Sequence, residues 1–327
     1  MDDFPMTTVT LDLNRKGLLL DAEGKAVQPA AVPAFLKRRI AIPAGTTDIN
    51  VFAHGWMTSK TSAEQSAQRL LRDINDLYAA SPERYQQLRP YRSYNIVVRW
   101  PSKGRYRKIR NRAHRMSTEG SAAAVVAQLL GYLNTERHKP YRGPAKLRTS
   151  QGQYLHAIGH SFGGRFLCQA IQEAGAGLVR PPTLAWDWTK KDFPFTVDSV
   201  LILQMASPPD VFAKGFNKLL TAAPINCPIV LTYSKADHAT GIWHRIAEFS
   251  PGIGHVGARV PADEIVVCRL RPVAEDYTRD ELKHRIVNIN ASARFKRGRF
   301  WLPQGAHSDF AHPETAHLLL SLAALAR

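Results

Sequence analysis

Apolar and polar residues alternate with a period of two at the start of the chain: Val9, Leu11 and Leu13 fall on one side, Thr8, Thr10 and Asp12 on the other. That spacing predicts a strand, and residues 38–42 read as a second short one. A β-prone run over 48–53 ends at His54-Gly55. From Thr61 the rhythm turns helical, with Ala67, Leu70, Leu71, Ile74, Leu77 and Tyr78 on one stripe behind a Thr61-Ser62-Ala63-Glu64 capping box. The alternation then repeats. Residues 95–100 form a strand stopped by Pro101, and Val125, Val126, Leu129, Leu130 and Leu133 mark a helix after it. Residues 154–159 form another strand, before Phe166, Leu167, Ala170 and Ile171 at helical spacing. Further strands are predicted at 199–206, 228–233 and 285–289, and Pro313 opens a last helix.

Strands alternating with amphipathic helices make βαβ units, so the predicted class is α/β, a mostly parallel central sheet with helices on both faces. No helix is predicted between the two leading strands, which predicts an antiparallel N-terminal edge over 1–47. No repeat, low-complexity tract or linker interrupts the 327 residues, which read as one domain. With 44% hydrophobic and 22% charged residues, a disordered or fibrous chain is excluded. The apolar stretch 317–325 is too short to span a bilayer. Met1-Asp2-Asp3-Phe4-Pro5 lacks an apolar signal core, and Cys168, Cys227 and Cys268 show no paired spacing. A cytoplasmic protein with free thiols is therefore expected. The charge is less ordinary: 44 Lys and Arg against 27 Asp and Glu give +17, which favours an anionic partner without naming one.

Candidate chemistry enters at Gly159-His160-Ser161-Phe162-Gly163, a G-x-S-x-G run placed where a buried strand ends and a helix begins. A turn that sharp strains the serine backbone and is tolerable where the residues two positions either side lack side chains. The serine oxygen then stands above the sheet at the positive end of the following helix. With Val51-Phe52-Ala53-His54-Gly55 and Ser59, Arg99-Trp100-Pro101-Ser102-Lys103-Gly104, Asp237 after a strand, and His307-Ser308-Asp309 near the end, the chain resembles the α/β-hydrolase superfamily. The resemblance runs from about residue 48 onward and is nearest to a bacterial esterase/lipase-like branch.

That resemblance implies a Ser-Asp-His order. Ser161 is the candidate nucleophile and His307, in a loop before the last helix, the candidate base. Asp237 is the candidate acid, with Asp210 one strand earlier as its rival. His312 adjoins Pro313 as a candidate helix cap, His317 reads as a surface residue of the helix, and His238 is too close in sequence to Asp237 to serve. The oxyanion hole would be the N–H groups of Phe162 and Trp56, with Met57 as alternative to Trp56, while His54 would bond neighbouring backbone.

Gly252-Ile253-Gly254-His255-Val256-Gly257 fits G-x-G-x-x-G but follows no strand and opens no helix, so no dinucleotide is expected. His307, His312 and His317 are five apart, which on a helix turns them away from a common metal. No cofactor or metal is expected. Arg99, Lys103, Arg105, Arg107, Lys108, Arg110, Arg112 and Arg115 occur with no acidic residue among them. They read either as solvated loop or, with Arg294, Lys296, Arg297 and Arg299, as a positive rim for an anionic substrate or phospholipid surface. Tyr106 alone interleaves, so nucleic-acid binding has little support. Residues 178–198, with Trp186, Trp188, Phe193 and Phe195, read as an insertion that either caps the site or completes the core. Arg105, Arg107 and Trp186 are the candidate substrate-binding residues. The expectation is a cofactor-free serine hydrolase acting on a small-molecule or lipid ester, with peripheral membrane contact allowed. Its alternatives are a non-catalytic module binding an anionic partner, or a nucleic-acid binder.

Overall fold

Buried apolar runs set the framework. In chain order the strands are β1 (Thr7–Asp12), β2 (Asp48–Ala53), β3 (Ser93–Arg99), β4 (Tyr154–His160), β5 (Ser199–Leu203), β6 (Ile229–Tyr233), β7 (Ile265–Arg269) and β8 (Ile286–Asn290). They form one sheet in the order β1-β3-β2-β4-β5-β6-β8-β7, and every neighbouring pair is parallel. This computed structural model describes residues 6–56, 60–138, 153–175, 197–221, 225, 228–282, 284–298, 300 and 303–327.

Parallel neighbours need crossover connections. The helices are α1 (Val32–Arg39), α2 (Lys60–Ala80), α3 (Tyr106–Thr118), α4 (Ala122–His138), α5 (Phe162–Gly175), α6 (Lys218–Thr221), α7 (His244–Glu248), α8 (Ile253–Val256) and α9 (Pro313–Leu325). A π-helical turn, Ala239–Trp243, runs into α7. The sheet is covered on both faces. Ile49 and Val51 of β2 join a core with Leu36 of α1, Ile109 of α3, Leu130 of α4 and Phe166 of α5. Phe52 points the other way, into a second core with Leu70 of α2 and Leu318 of α9. Burial on both sides is why β2, β4 and β5 are buried at every position rather than alternately.

The N-terminal edge differs from expectation. β1 pairs parallel with β3, Thr7 opposite Tyr94 and Asp12 opposite Arg99, so no antiparallel edge strand is seen among the described residues. The reason is α1. Residues 38–42 are not a strand: Arg38 and Arg39 close a helix that has proline in its first turn and buries Val32 and Leu36. That helix returns the chain before β2 begins, so β1 and β2 run the same way. α2 likewise starts at Lys60, which places Thr61 inside the helix rather than at its cap.

From Tyr106 onward the basic stretch is a helix, not a loop, while Arg99 ends β3 and Lys103 and Arg105 lie before α3. Tyr106, Ile109, Ala113 and Met116 of α3 are buried at helical spacing, and the cations occupy the remaining positions. Because all eight strands are parallel, the loops leaving their C-terminal ends gather along one edge of the sheet, where α/β proteins carry their ligands. Among the described residues, no helix is long and apolar enough to cross a membrane.

Candidate active site

β4 ends at His160, and the chain turns at Ser161 straight into α5. Ser161 has φ 55°, a left-handed conformation that costs a residue with a side chain. The glycines around it are required by space. A Cβ on Gly163 would lie 2.1 Å from the Ala53 carbonyl oxygen, and one on Gly159 would lie 2.3 Å from the Gly164 Cα. Ser161 N–H donates to the Leu203 carbonyl at 2.9 Å, which ties the turn to the neighbouring strand.

Three side chains distant in sequence meet at this turn. His307 Nε2 lies 2.8 Å from Ser161 Oγ, and His307 Nδ1 lies 2.9 Å from Asp237 Oδ2. All three are essentially buried. The carboxylate accepts the Nδ1 proton, which leaves the Nε2 lone pair to accept the serine hydroxyl. Asp237 follows β6 and is fixed further: its Oδ1 accepts the Thr240 N–H at 3.0 Å. The loops bearing Asp237 and His307 are stitched together, since Ala306 N–H donates to the Ala236 carbonyl at 2.8 Å and Ala239 N–H to the Gln304 carbonyl at 3.1 Å.

The rival groups lie elsewhere. Asp210 pairs with Lys214 at 2.5 Å and is partly exposed. His312 is the N-cap residue of α9: its carbonyl accepts the Thr315 N–H at 2.9 Å and the Ala316 N–H at 3.1 Å, while its ring caps no N–H and its Nε2 pairs with Asp309 at 3.0 Å. His317 is not a surface residue. It is buried in α9, held by the Tyr85 hydroxyl at 2.7 Å and the Glu275 carbonyl at 2.8 Å.

Phe162 opens α5, so its N–H belongs to the first turn, where no intrahelical carbonyl can accept it. The 54–56 loop presses on the serine: a Cβ on Gly55 would come within 2.7 Å of the Ser161 Cβ. His54 is a structural residue of that loop. Its Nε2 accepts the Trp100 N–H at 3.0 Å, its Nδ1 donates to the Gly55 carbonyl at 3.0 Å, and burial pushes its imidazole down to about 4. Trp56 is held by its indole N–H on the Gly104 carbonyl at 2.8 Å and meets the Tyr106 ring edge-on at 4.8 Å. Tyr106 is therefore a buried wall of this site, 5.5 Å from the Phe162 ring, and not a stacking platform for bases. Met57 and Trp186 lie outside the described residues. Arg105 and Arg107 are exposed on either side of Tyr106, with no bond to Ser161, Asp237 or His307.

Two further residues carry the arrangement without having been singled out in the sequence. Gln204 follows β5 with φ 48°; its Nε2 donates to Asp237 Oδ2 at 3.2 Å and to the Ala306 carbonyl at 3.0 Å. His160 donates from Nε2 to the His307 carbonyl at 2.7 Å. Burial, and then repulsion from His307, holds the His160 imidazole well below its usual range, so it is neutral. Position x of the G-x-S-x-G run is the one hint His160 offered.

The glycine-rich run 252–257 does not build a cofactor cradle: it forms the four-residue α8, reached from a helix and not from a strand. Among the described residues, no three His, Cys, Asp or Glu side chains converge as a metal site would require. No family model matches the chain, and neither does any curated protein or solved structure.

Proposed function

We propose that this chain is a serine hydrolase of the α/β-hydrolase type, cleaving carboxylic esters through an acyl-enzyme. The observation that carries the reading is the left-handed Ser161 whose Oγ lies 2.8 Å from His307 Nε2, itself backed by Asp237. Ser161 Oγ attacks the ester carbonyl carbon while His307 Nε2 takes its proton. Phe162 N–H, aided by the positive end of α5, holds the oxyanion, and the 54–56 loop, through Trp56, is the source of the second donor. Collapse of the tetrahedral species expels the alkoxide, which receives the proton from His307. Water then repeats the sequence on the acyl-enzyme and frees Ser161.

The same geometry can serve thioesters and amides, since fold does not select substrate. The sequence resemblance favours esters. The test is hydrolysis of p-nitrophenyl esters and labelling by a fluorophosphonate probe, each lost in Ser161→Ala with the circular dichroism spectrum unchanged. Labelling that persists in Ser161→Ala would overturn the reading.

A further inference from the structure

The rim of the site carries a surface of unusual make-up. Ile242, Ile246 and Phe249 lie on one outward face of the π-turn and α7, 50%, 57% and 91% exposed, with Trp243 beside them. His244 and Ala247 form the buried side of the same segment. Phe249 carries two costs at once: it leaves a large apolar ring in water, and it sits at φ 58°, where glycine or asparagine is the less strained choice. A contiguous apolar face of this kind marks a contact surface.

Its neighbour is α3, which has no acidic residue along its length. Arg110 clamps the two helices together through Glu248, at 2.6 and 2.8 Å. Arg107, Lys108 and Arg115 remain exposed, and Arg245 rises among the apolar residues of α7. Beyond the far end of α3 a groove of about 570 Å³ is lined by Arg15, Lys16, Arg112 and Arg115, with Glu119 as its carboxylate. This slab adjoins the triad. Trp243 donates its indole N–H at 2.9 Å to the carbonyl of Pro303, at the head of the loop bearing His307, while Tyr106 at the start of α3 touches Trp56.

We propose that this face docks on an anionic lipid bilayer, α7 seating Ile242, Ile246 and Phe249 among the acyl chains while the cations of α3 meet the headgroup phosphates. Charge complementarity selects this occupant: exposed apolar side chains on α7, with Arg245 among them and exposed Arg107 and Lys108 on the neighbouring α3, suit the boundary between acyl chains and anionic headgroups. Docked so, the rim of Ser161 faces the membrane, which makes a membrane ester the substrate. That last step rests on the hydrolase reading; the docking does not.

The test uses the full chain carrying Ser161→Ala, so that no lipid is consumed, and measures co-sedimentation with vesicles. Vesicles of phosphatidylcholine containing about one quarter phosphatidylglycerol should bind at least about tenfold more protein than pure phosphatidylcholine. Ile242→Ser/Ile246→Ser/Phe249→Ser should lower that binding about tenfold or more, and Arg107→Glu/Lys108→Glu should do the same. Full binding by the triple-serine protein, even with loss in the charge-reversed one, would show attraction by net charge alone and overturn the proposal. So would absence of binding by the parent chain. Hydrolysis of soluble p-nitrophenyl acetate, with Ser161 restored, should be the same with and without the three serines. Failure of that hydrolysis in the wild-type chain would strike the hydrolase reading and leave docking standing.

Discussion

His156 Nδ1 lies 2.7 Å from Ser199 Oγ, a serine–histidine contact as short as the 2.8 Å one between Ser161 and His307. His156 Nε2 in turn lies 2.8 Å from Asp48 Oδ1, so the described residues hold two Ser-His-Asp arrays. Their surroundings separate them. Ser199 and Asp48 begin β5 and β2, at the end of the sheet opposite the Ser161 turn, and both are buried. Ser199 opens no helix. Asp48 also takes Arg327 at 2.8 Å and the Thr47 hydroxyl at 2.6 Å, and the Arg327 bond ties the residue two positions beyond α9 to the sheet. Burial alone would raise the Asp48 carboxyl, but His156 and Arg327 hold it below its usual range.

The two serines should therefore separate stability from activity. Ser199→Ala leaves His156 Nδ1 without its partner and should cost about 1–3 kcal/mol in urea unfolding, with fluorophosphonate labelling intact. Ser161→Ala should abolish labelling at little cost in stability. Loss of labelling in Ser199→Ala, in protein still folded, would contradict this division.

The acid can be decided by a pair of isosteric changes. Asp237→Asn leaves His307 with the wrong tautomer and should lower ester turnover by about 10³- to 10⁴-fold, as removal of a triad carboxylate does elsewhere. Asp210→Asn breaks an exposed pair with Lys214 and should change turnover less than about twofold. Kinetics on p-nitrophenyl butyrate read both, and a larger loss in Asp210→Asn would reverse the assignment.

The meeting of Ser161, Asp237 and His307 was legible because the α/β-hydrolase resemblance implies a Ser-Asp-His order, and the strand–helix reading then puts Asp237 in the loop after a late strand and His307 in the loop before the last helix. The G-x-S-x-G run added a steric demand that glycines at 159 and 163 alone answer. The N-terminal edge was not legible. α1 is short, and Lys37, Arg38 and Arg39 in its last turn mask the spacing of Val32 and Leu36. α3 was hidden the same way, since the charges of its exposed positions drew attention from Tyr106, Ile109, Ala113 and Met116. β7 escaped notice as an edge strand with Val267 exposed. Gln204 is the deepest miss: nothing local marks a glutamine that turns left-handed to reach residues 33 and 102 positions away.

Gln204 and His160 should act through the residues they hold. Gln204→Leu removes a donor from Asp237 Oδ2 and from the Ala306 carbonyl, and should lower kcat about tenfold or more. His160→Phe frees the His307 carbonyl and should do likewise. A positioning role predicts that kcat falls while KM for a small ester stays within about twofold, because both side chains are buried and bond to Asp237, Ala306 and His307. A rise in KM at constant kcat would place them in the substrate pocket instead.

Acid should weaken the fold before Asp48 titrates. Burial depresses the His54 imidazole to about 4, against about 6.5 in the unfolded chain. Between those values the unfolded state binds a proton that the native state refuses, so stability is full above about pH 6.5 and falls as pH drops toward 4. His160 and His244, also depressed chiefly by burial, push the same way. His54 alone accounts for a loss on the order of 3 kcal/mol across its window. Urea midpoints should thus decline from about pH 7 to 5, ahead of the acid loss from Asp48, which begins near the ordinary carboxylate range. His54→Gln cannot take up that proton in either state, and its midpoint should decline less steeply over the same interval. Parallel slopes for the two proteins would show that His54 is protonated as readily in the native state as in the unfolded one, against its burial behind Trp100.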